Sequence, residues 1–170
     1  RPLARGMADE GTPYRGILYV GLMLTGDGPQ VIEFNCRLGD PEAQVILPRL
    51  RSDLVAAMLA TVEGTLGHVS LRWDNRSAVT VVMAAEGYPG AYEKGSVISG
   101  TEGAEASDDV MLFHAGTKID DAGTVTAHGG RVLAVTGLGD DAGMARAAAY
   151  AAVDGIDWPG GFCRRDIAAG

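Results

Sequence analysis

Residues 17–37 read Ile17-Leu18-Tyr19-Val20-Gly21-Leu22-Met23-Leu24-Thr25, then Gly26-Asp27-Gly28-Pro29, then Gln30-Val31-Ile32-Glu33-Phe34-Asn35-Cys36-Arg37. Two apolar runs flank a cluster of turn-forming residues, which predicts a β-hairpin. Side chains alternate across a strand. Glu33, Asn35 and Arg37 are therefore expected on one face, with Ile32, Phe34 and Cys36 on the other, turned into a core. Glu33 and Asn35 offer hard oxygen ligands of the kind magnesium takes beside phosphate oxygens and water. Arg37 offers a planar fork of donors for phosphate or carboxylate oxygens. Alternation alone does not separate such a site from the wet side of an ordinary half-buried strand.

Working outward, Gly39-Asp40-Pro41-Glu42 reads as a helix entry, with Asp40 as cap and Pro41 at the first helical position. That helix should end near Leu47, because Pro48 cannot continue it. Ser52-Asp53 begins a second helix, with Leu54, Met58, Leu59 and Val62 on one face and Gly64 as its stop. Further on the chain becomes rich in β-formers, with strands expected at 78–85, 110–115, 123–126 and 131–136. A last helix, about 142–153, is capped by Asp140-Asp141 and closed by Gly155. The change of character falls within residues 66–76. The expected class is α+β, with the edge of an α/β domain over 1–68 and a small β-rich domain with a helix over 69–170.

The 170 residues carry a formal net charge of -8, which argues against an electrostatic grip on nucleic acid. No apolar run approaches the roughly 20 residues needed to cross a bilayer, and no charged segment leads into an apolar signal core, so no membrane association is expected. Cys36 and Cys163 stand far apart and outside any CxxC pair, so neither a zinc site nor a disulfide framework is indicated and a reducing cytoplasm is expected. The chain opens Arg1-Pro2-Leu3 without a methionine, which points to a processed chain or an excised fragment.

Glu33-x-Asn35-x-Arg37 is similar to the metal-binding strand of ATP-grasp enzymes. The longer run from Glu33 through Glu42 resembles one branch, the phosphoribosylamine–glycine ligase family. The resemblance extends in order through Tyr14-Arg15-Gly16-Ile17-Leu18-Tyr19, Leu47-Pro48-Arg49-Leu50, Gly87-Tyr88-Pro89-Gly90, Phe113-His114-Ala115-Gly116-Thr117-Lys118, Gly129-Gly130-Arg131 and Arg164-Arg165-Asp166-Ile167. A lone ExNxR is weak; this ordered set, spanning about 12–167, is specific.

The resemblance implies ATP-dependent joining of glycine to 5-phosphoribosylamine through an acyl phosphate. By position, Glu33 and Asn35 would be the Mg²⁺ or Mn²⁺ ligands, and Arg37 would stabilise the acyl-phosphate oxygens or orient a substrate. Asp40 is a weaker candidate for substrate contact, with helix capping as its alternative. Lys118 could reach a phosphate, with a solvated strand-end lysine as its alternative. His114 reads as a satisfied, partly buried histidine and Arg131 as a surface strand charge, with a supporting contact behind the site as its alternative. The departures from the family pattern are Leu38 in place of a more usual Phe, Ala127-His128 before the glycine pair, and no acid in Gly21-Leu22-Met23.

The resemblance further implies that the chain is the C-terminal two-fifths of its family's length. The N-terminal part would then be a missing partner, and the chain alone would be inactive. Another ATP-grasp ligase or carboxylase, and a non-catalytic binding module, are the alternatives.

Overall fold

The computed structural model describes residues 2–104 and 106–169. These divide into two compact units, the first formed by residues up to 40 with 50–73, the second by 41–49 with 74 onward.

The first unit opens with helix α1 (Pro2–Asp9), for which the sequence carried no expectation. The hairpin follows as β1 (Tyr19–Thr25) and β2 (Gly28–Asn35), antiparallel, with Thr25 opposite Gly28 so that Gly26 and Asp27 form the turn. Pairing runs Gly21 to Glu33 and then Leu22 to Val31, so Ile32 is the extra residue of a β-bulge. The expected burial of Ile32 and Phe34 does not occur: they are 62% and 50% exposed. A two-stranded sheet has no second layer of its own to cover an apolar face, and neither strand of this one is enclosed.

Helix α3 (Leu54–Glu63) begins as its sequence requires, with Asp53 Oδ1 accepting from the Val55 and Ala56 amides at 2.7 and 3.1 Å. Gly64 ends it in the left-handed conformation. Arg15 donates to the Val62 carbonyl at 2.6 Å, placing a cation on the negative end of the helix. The buried residues of α3 are Ala57 and Ala60, whereas Met58, Leu59 and Val62 are exposed.

The second unit includes α2 (Glu42–Ile46), followed by a 3₁₀ turn at Leu47–Arg49 where Pro48 forbids continuation. Pro41, not Asp40, occupies the N-cap position of α2, and no side chain caps it, so the capping expected of Asp40 is not seen. The main sheet is antiparallel in the order β4 (Val110–His114), β7 (Arg131–Gly139), β3 (Ser77–Ala85), β8 (Gly161–Cys163). Helix α4 (Thr101–Ala104) and a two-stranded sheet of β5 (Thr117–Ile119) and β6 (Val125–Ala127) complete the unit together with α5 (Ala142–Gly155).

Why α5 is rich in alanine follows from the sheet beneath it. A β-carbon on Gly137 would lie 2.3 Å from the Ala145 carbonyl oxygen, so helix and strand backbones approach closely and only small residues fit. Ala145, Ala149 and Val153 thereby pack with Val79, Val81, Met83 and Val135. Val81, Val132, Leu133 and Val135 are fully buried. Each such side chain contributes about 1.5–3 kcal/mol of transfer free energy. On the opposite face Thr80 and Thr136 hydroxyls meet at 2.6 Å, and Thr136 Oγ1 donates to the Gln44 carbonyl at 2.8 Å, tying α2 to the sheet.

Candidate functional site

The hairpin delivers two of the expected residues to one place. Asn35 Nδ2 donates to Glu33 Oε1 at 2.9 Å, so both side chains stand on the same face of β2. Across the ladder this face carries Tyr19 opposite Asn35 and Gly21 opposite Glu33. A β-carbon on Gly21 would lie 3.1 Å from Glu33 Cγ, so the absent side chain is what lets the Glu33 stem lie across the neighbouring strand. A glycine inside a strand run signals a bulge or a close approach; Gly21 makes the close approach and sits beside the register shift that leaves Ile32 as the bulged residue. That signal is present in the sequence, in the glycine of Gly21-Leu22-Met23.

β2 ends at Asn35, so the alternation that would group Arg37 with this pair stops two residues early. Arg37 Nη1 donates to the Leu38 carbonyl at 2.8 Å. The side chain borders a cavity of about 490 Å³ with Ile17, Cys36, Met58, Thr61 and Val62, where it is the charged member of an otherwise largely apolar lining. Tyr14 fastens the entry to β1, its hydroxyl donating to the Ile17 carbonyl at 2.8 Å. Partial burial, and secondarily its neighbour Cys36, push the Tyr14 phenol above its usual range, so it stays a neutral donor.

Asp40 is exposed at the end of the segment that follows. Lys118 is exposed on β5, in the second unit, where its carbonyl accepts from the Thr126 hydroxyl at 3.0 Å. His114 is exposed rather than partly buried, and its Nδ1 meets the Thr117 hydroxyl at 3.0 Å. Both cysteines are free thiols.

Glu33 and Asn35 bring a carboxylate and an amide, the oxygen-bearing groups that a hard divalent cation takes, to one face of β2. The 2.9 Å contact is an Asn35 N–H···Oε1 hydrogen bond to Glu33, so Asn35 would ligate beside Glu33 only with its amide turned to present the oxygen. Among the described residues no group of three or more His, Cys, Asp or Glu side chains could hold a metal. A cation here would take its remaining ligands from phosphate oxygens and water. Among the described residues no helix is long and apolar enough to cross a membrane.

Comparison with known proteins places this geometry in context. Residues 78–170 match the family described as phosphoribosylglycinamide synthetase, C domain, and residues 1–43 match phosphoribosylglycinamide synthetase, ATP-grasp (A) domain. A phosphoribosylamine–glycine ligase of Mesorhizobium japonicum is 57% identical over 166 residues, covering 98% of this chain and 39% of the relative. The chloroplastic phosphoribosylamine–glycine ligase of Arabidopsis thaliana is 53% identical over 169 residues, covering 98% and 32%. The crystal structure of phosphoribosylamine–glycine ligase from Thermotoga maritima superposes with a TM-score of 0.78 at 39% identity, over 96% of this chain and 39% of that one. N5-carboxyaminoimidazole ribonucleotide synthetase from the same organism shares the fold, with a TM-score of 0.59 at 18% identity. The chain thus spans about two-fifths or less of the length of these relatives. Matched over more than half of its residues by the C-domain description and at its start by the ATP-grasp one, the chain belongs to the phosphoribosylglycinamide synthetase family.

Proposed function

We propose that this chain is the C-terminal part of a phosphoribosylamine–glycine ligase, which converts ATP, glycine and 5-phosphoribosylamine to ADP, phosphate and glycinamide ribonucleotide in purine synthesis. The observation that carries the reading is the Glu33–Asn35 contact on one face of β2, within a chain of this family. Glu33 and Asn35 would hold Mg²⁺ or Mn²⁺, which when bound neutralises polyphosphate charge and orients the transferred phosphoryl group. Glu33 brings the anionic ligand and Asn35 a neutral one, which leaves the cation positive enough to attract further phosphate oxygens.

Arg37 would add a fixed positive charge where the glycyl carboxylate is phosphorylated, since charge that develops during transfer is best met by donors already in position. The amine of phosphoribosylamine then attacks the glycyl phosphate carbonyl, forming the amide bond and releasing phosphate. Asp40 is offered as a substrate contact and Lys118 as a solvated lysine with at most a minor one.

The exposed apolar residues of the hairpin, Leu22, Leu24, Val31, Ile32 and Phe34, are the surface we assign to the remainder of the enzyme, which would also bring most of the nucleotide pocket. The free thiols fit a cytoplasmic setting.

The test is product formation. The full-length protein should release phosphate only when glycine, phosphoribosylamine and a divalent cation are all present, and the 170-residue chain should release none. Turnover by the chain alone near an ordinary enzyme's ~10 per second, or full-length turnover indifferent to glycine, would overturn the reading.

A further inference from the structure

The residues beside Glu33 decide where its carboxylate can go. Cross-strand partners share a face, so Tyr19, opposite Asn35, stands on the side of the hairpin that carries Glu33 and Asn35. On the far side of Glu33 the bulge at Ile32 breaks the ladder. Tyr19 and Asn35 are therefore its regular neighbours on this face.

Tyr19 does not simply lie over its partner. A β-carbon on Gly21 would lie 3.6 Å from Tyr19 Cε1 and 3.7 Å from Tyr19 Oη, as well as 3.1 Å from Glu33 Cγ. The Tyr19 ring thus leans along β1 to the place above Gly21, and the Glu33 stem reaches the same place from β2. Covered from both strands, Gly21 is buried, while the residues on either side of it in β1 are exposed.

A glutamate on an exposed strand is otherwise free to change rotamer, and the loss of that freedom opposes ligand binding. Asn35 supplies one hold, from Nδ2 to Glu33 Oε1 at 2.9 Å. That hold uses the amide NH₂ group. To ligate beside Glu33, the amide must present its oxygen instead, and the hydrogen bond to Oε1 is then given up. The hold of the Tyr19 ring is steric, so it persists whichever way Asn35 turns.

We propose that Tyr19 is the positioning residue that keeps Glu33 aimed when Asn35 turns to a divalent cation. The proposal rests on the reading of Glu33 and Asn35 as cation ligands of the ligase. Tyr19 acts through the Glu33 stem, so its ring matters and its hydroxyl does not.

The test uses the full-length protein and reads binding instead of turnover. ADP affinity is measured by calorimetry with and without Mn²⁺, and the factor by which Mn²⁺ tightens ADP is the readout. Tyr19→Ala should cut that factor by about tenfold, the size of the rotamer freedom a glutamate regains, and leave the metal-free affinity unchanged. Tyr19→Phe, which keeps the ring, should keep the factor. In the Glu33→Gln background Tyr19→Ala should cost nothing further, because both changes act through one side chain. If Tyr19→Ala does not fold, Tyr19→Leu, which is too short to reach over Gly21, carries the same expectations.

A Mn²⁺ factor that survives the loss of the ring, or an equal loss in Tyr19→Phe, overturns the proposal. So does an equal fall in metal-free affinity, or the same loss repeated in the Glu33→Gln background. A factor untouched by Tyr19→Ala, in a full-length enzyme that forms glycinamide ribonucleotide, sinks this inference alone. No tightening by Mn²⁺ in the unaltered protein sinks the cation reading and this inference with it. A Tyr19-dependent factor in a protein that forms no glycinamide ribonucleotide sinks the ligase reading alone.

Discussion

Gly21 stands opposite Glu33 in the hairpin, and the Glu33 side chain occupies the place where a side chain at residue 21 would be. The carboxylate therefore depends on the neighbouring strand for its aim, beyond its own position in β2. Gly21→Ala would set a methyl 3.1 Å from Glu33 Cγ, tight enough that one of the two must move by a few tenths of an ångström. In the full-length enzyme, the Mn²⁺ concentration for half-maximal turnover should rise several-fold while the thermal midpoint changes little. An unchanged metal requirement would show that Glu33 needs no such aim.

Glu33→Gln removes the anion and keeps size and hydrogen bonding, so it isolates charge. Turnover of the full-length enzyme should fall by about 100-fold or more, as when other groups that stabilise transition-state charge are removed. Lys118→Ala, at an exposed strand position, should cost much less. Steady-state kinetics at limiting Mg²⁺, on samples matched for folded fraction by thermal melting, make the comparison. Near wild-type turnover for Glu33→Gln would leave the strand face merely solvated.

Asp166 yields a pH prediction with a defined sign. Its hydrogen-bonded pairing with Arg164 holds the carboxyl below the usual range. A depressed folded pKa means the pair's contribution is present above the unfolded value, about 3.9, and is lost as pH falls through the folded one. The anchor of Arg164 should therefore be constant from pH 5 to 8 and fail only in acid. Carbon-detected titration of Asp166 should show a midpoint below that of an unpaired aspartate, and Arg164→Gln should return it to the ordinary range. An ordinary midpoint in the unmodified chain would mean that the pair does not persist in solution.

The hairpin, the Asp53-capped helix and the long strands were legible because each is written locally: turn residues between apolar runs, an acid before a helical stripe, runs of β-branched residues. What was not legible is what depends on contacts distant in sequence. β8 and β5 are three-residue strands whose residues become strand only by pairing with β3 and β6. The burial expected for Phe34 failed because an apolar residue reports that it wants covering and says nothing of which chain segment covers it. The pairing of Glu33 with Asn35 followed from alternation. Arg37 fell outside it because a strand's end is set by its partner, and β1 stops pairing at Tyr19.

The close approach of α5 to β7 makes the sharpest stability prediction. On Gly137 a β-carbon would meet the Ala145 oxygen at 2.3 Å and the Ala149 nitrogen at 2.5 Å, both backbone atoms of a helix that cannot yield by rotating a side chain. Gly137→Ala must therefore lift α5 from the sheet, loosening Val79, Val81 and Val135 beneath it. Overpacking of this kind costs about 1–3 kcal/mol or more. Gly155, the last residue of α5, is the control: nothing lies within 4 Å of its would-be β-carbon. Gly155→Ala should be neutral or stabilise by up to about 1 kcal/mol, by narrowing the unfolded ensemble. For a domain of this size each kcal/mol moves the melting midpoint by about 4–8 °C, so the two alanines should shift it in opposite directions or one alone should lower it. Differential scanning calorimetry of both variants decides the matter: equal midpoints would mean that the helix is not seated on Gly137 as closely as the structure has it.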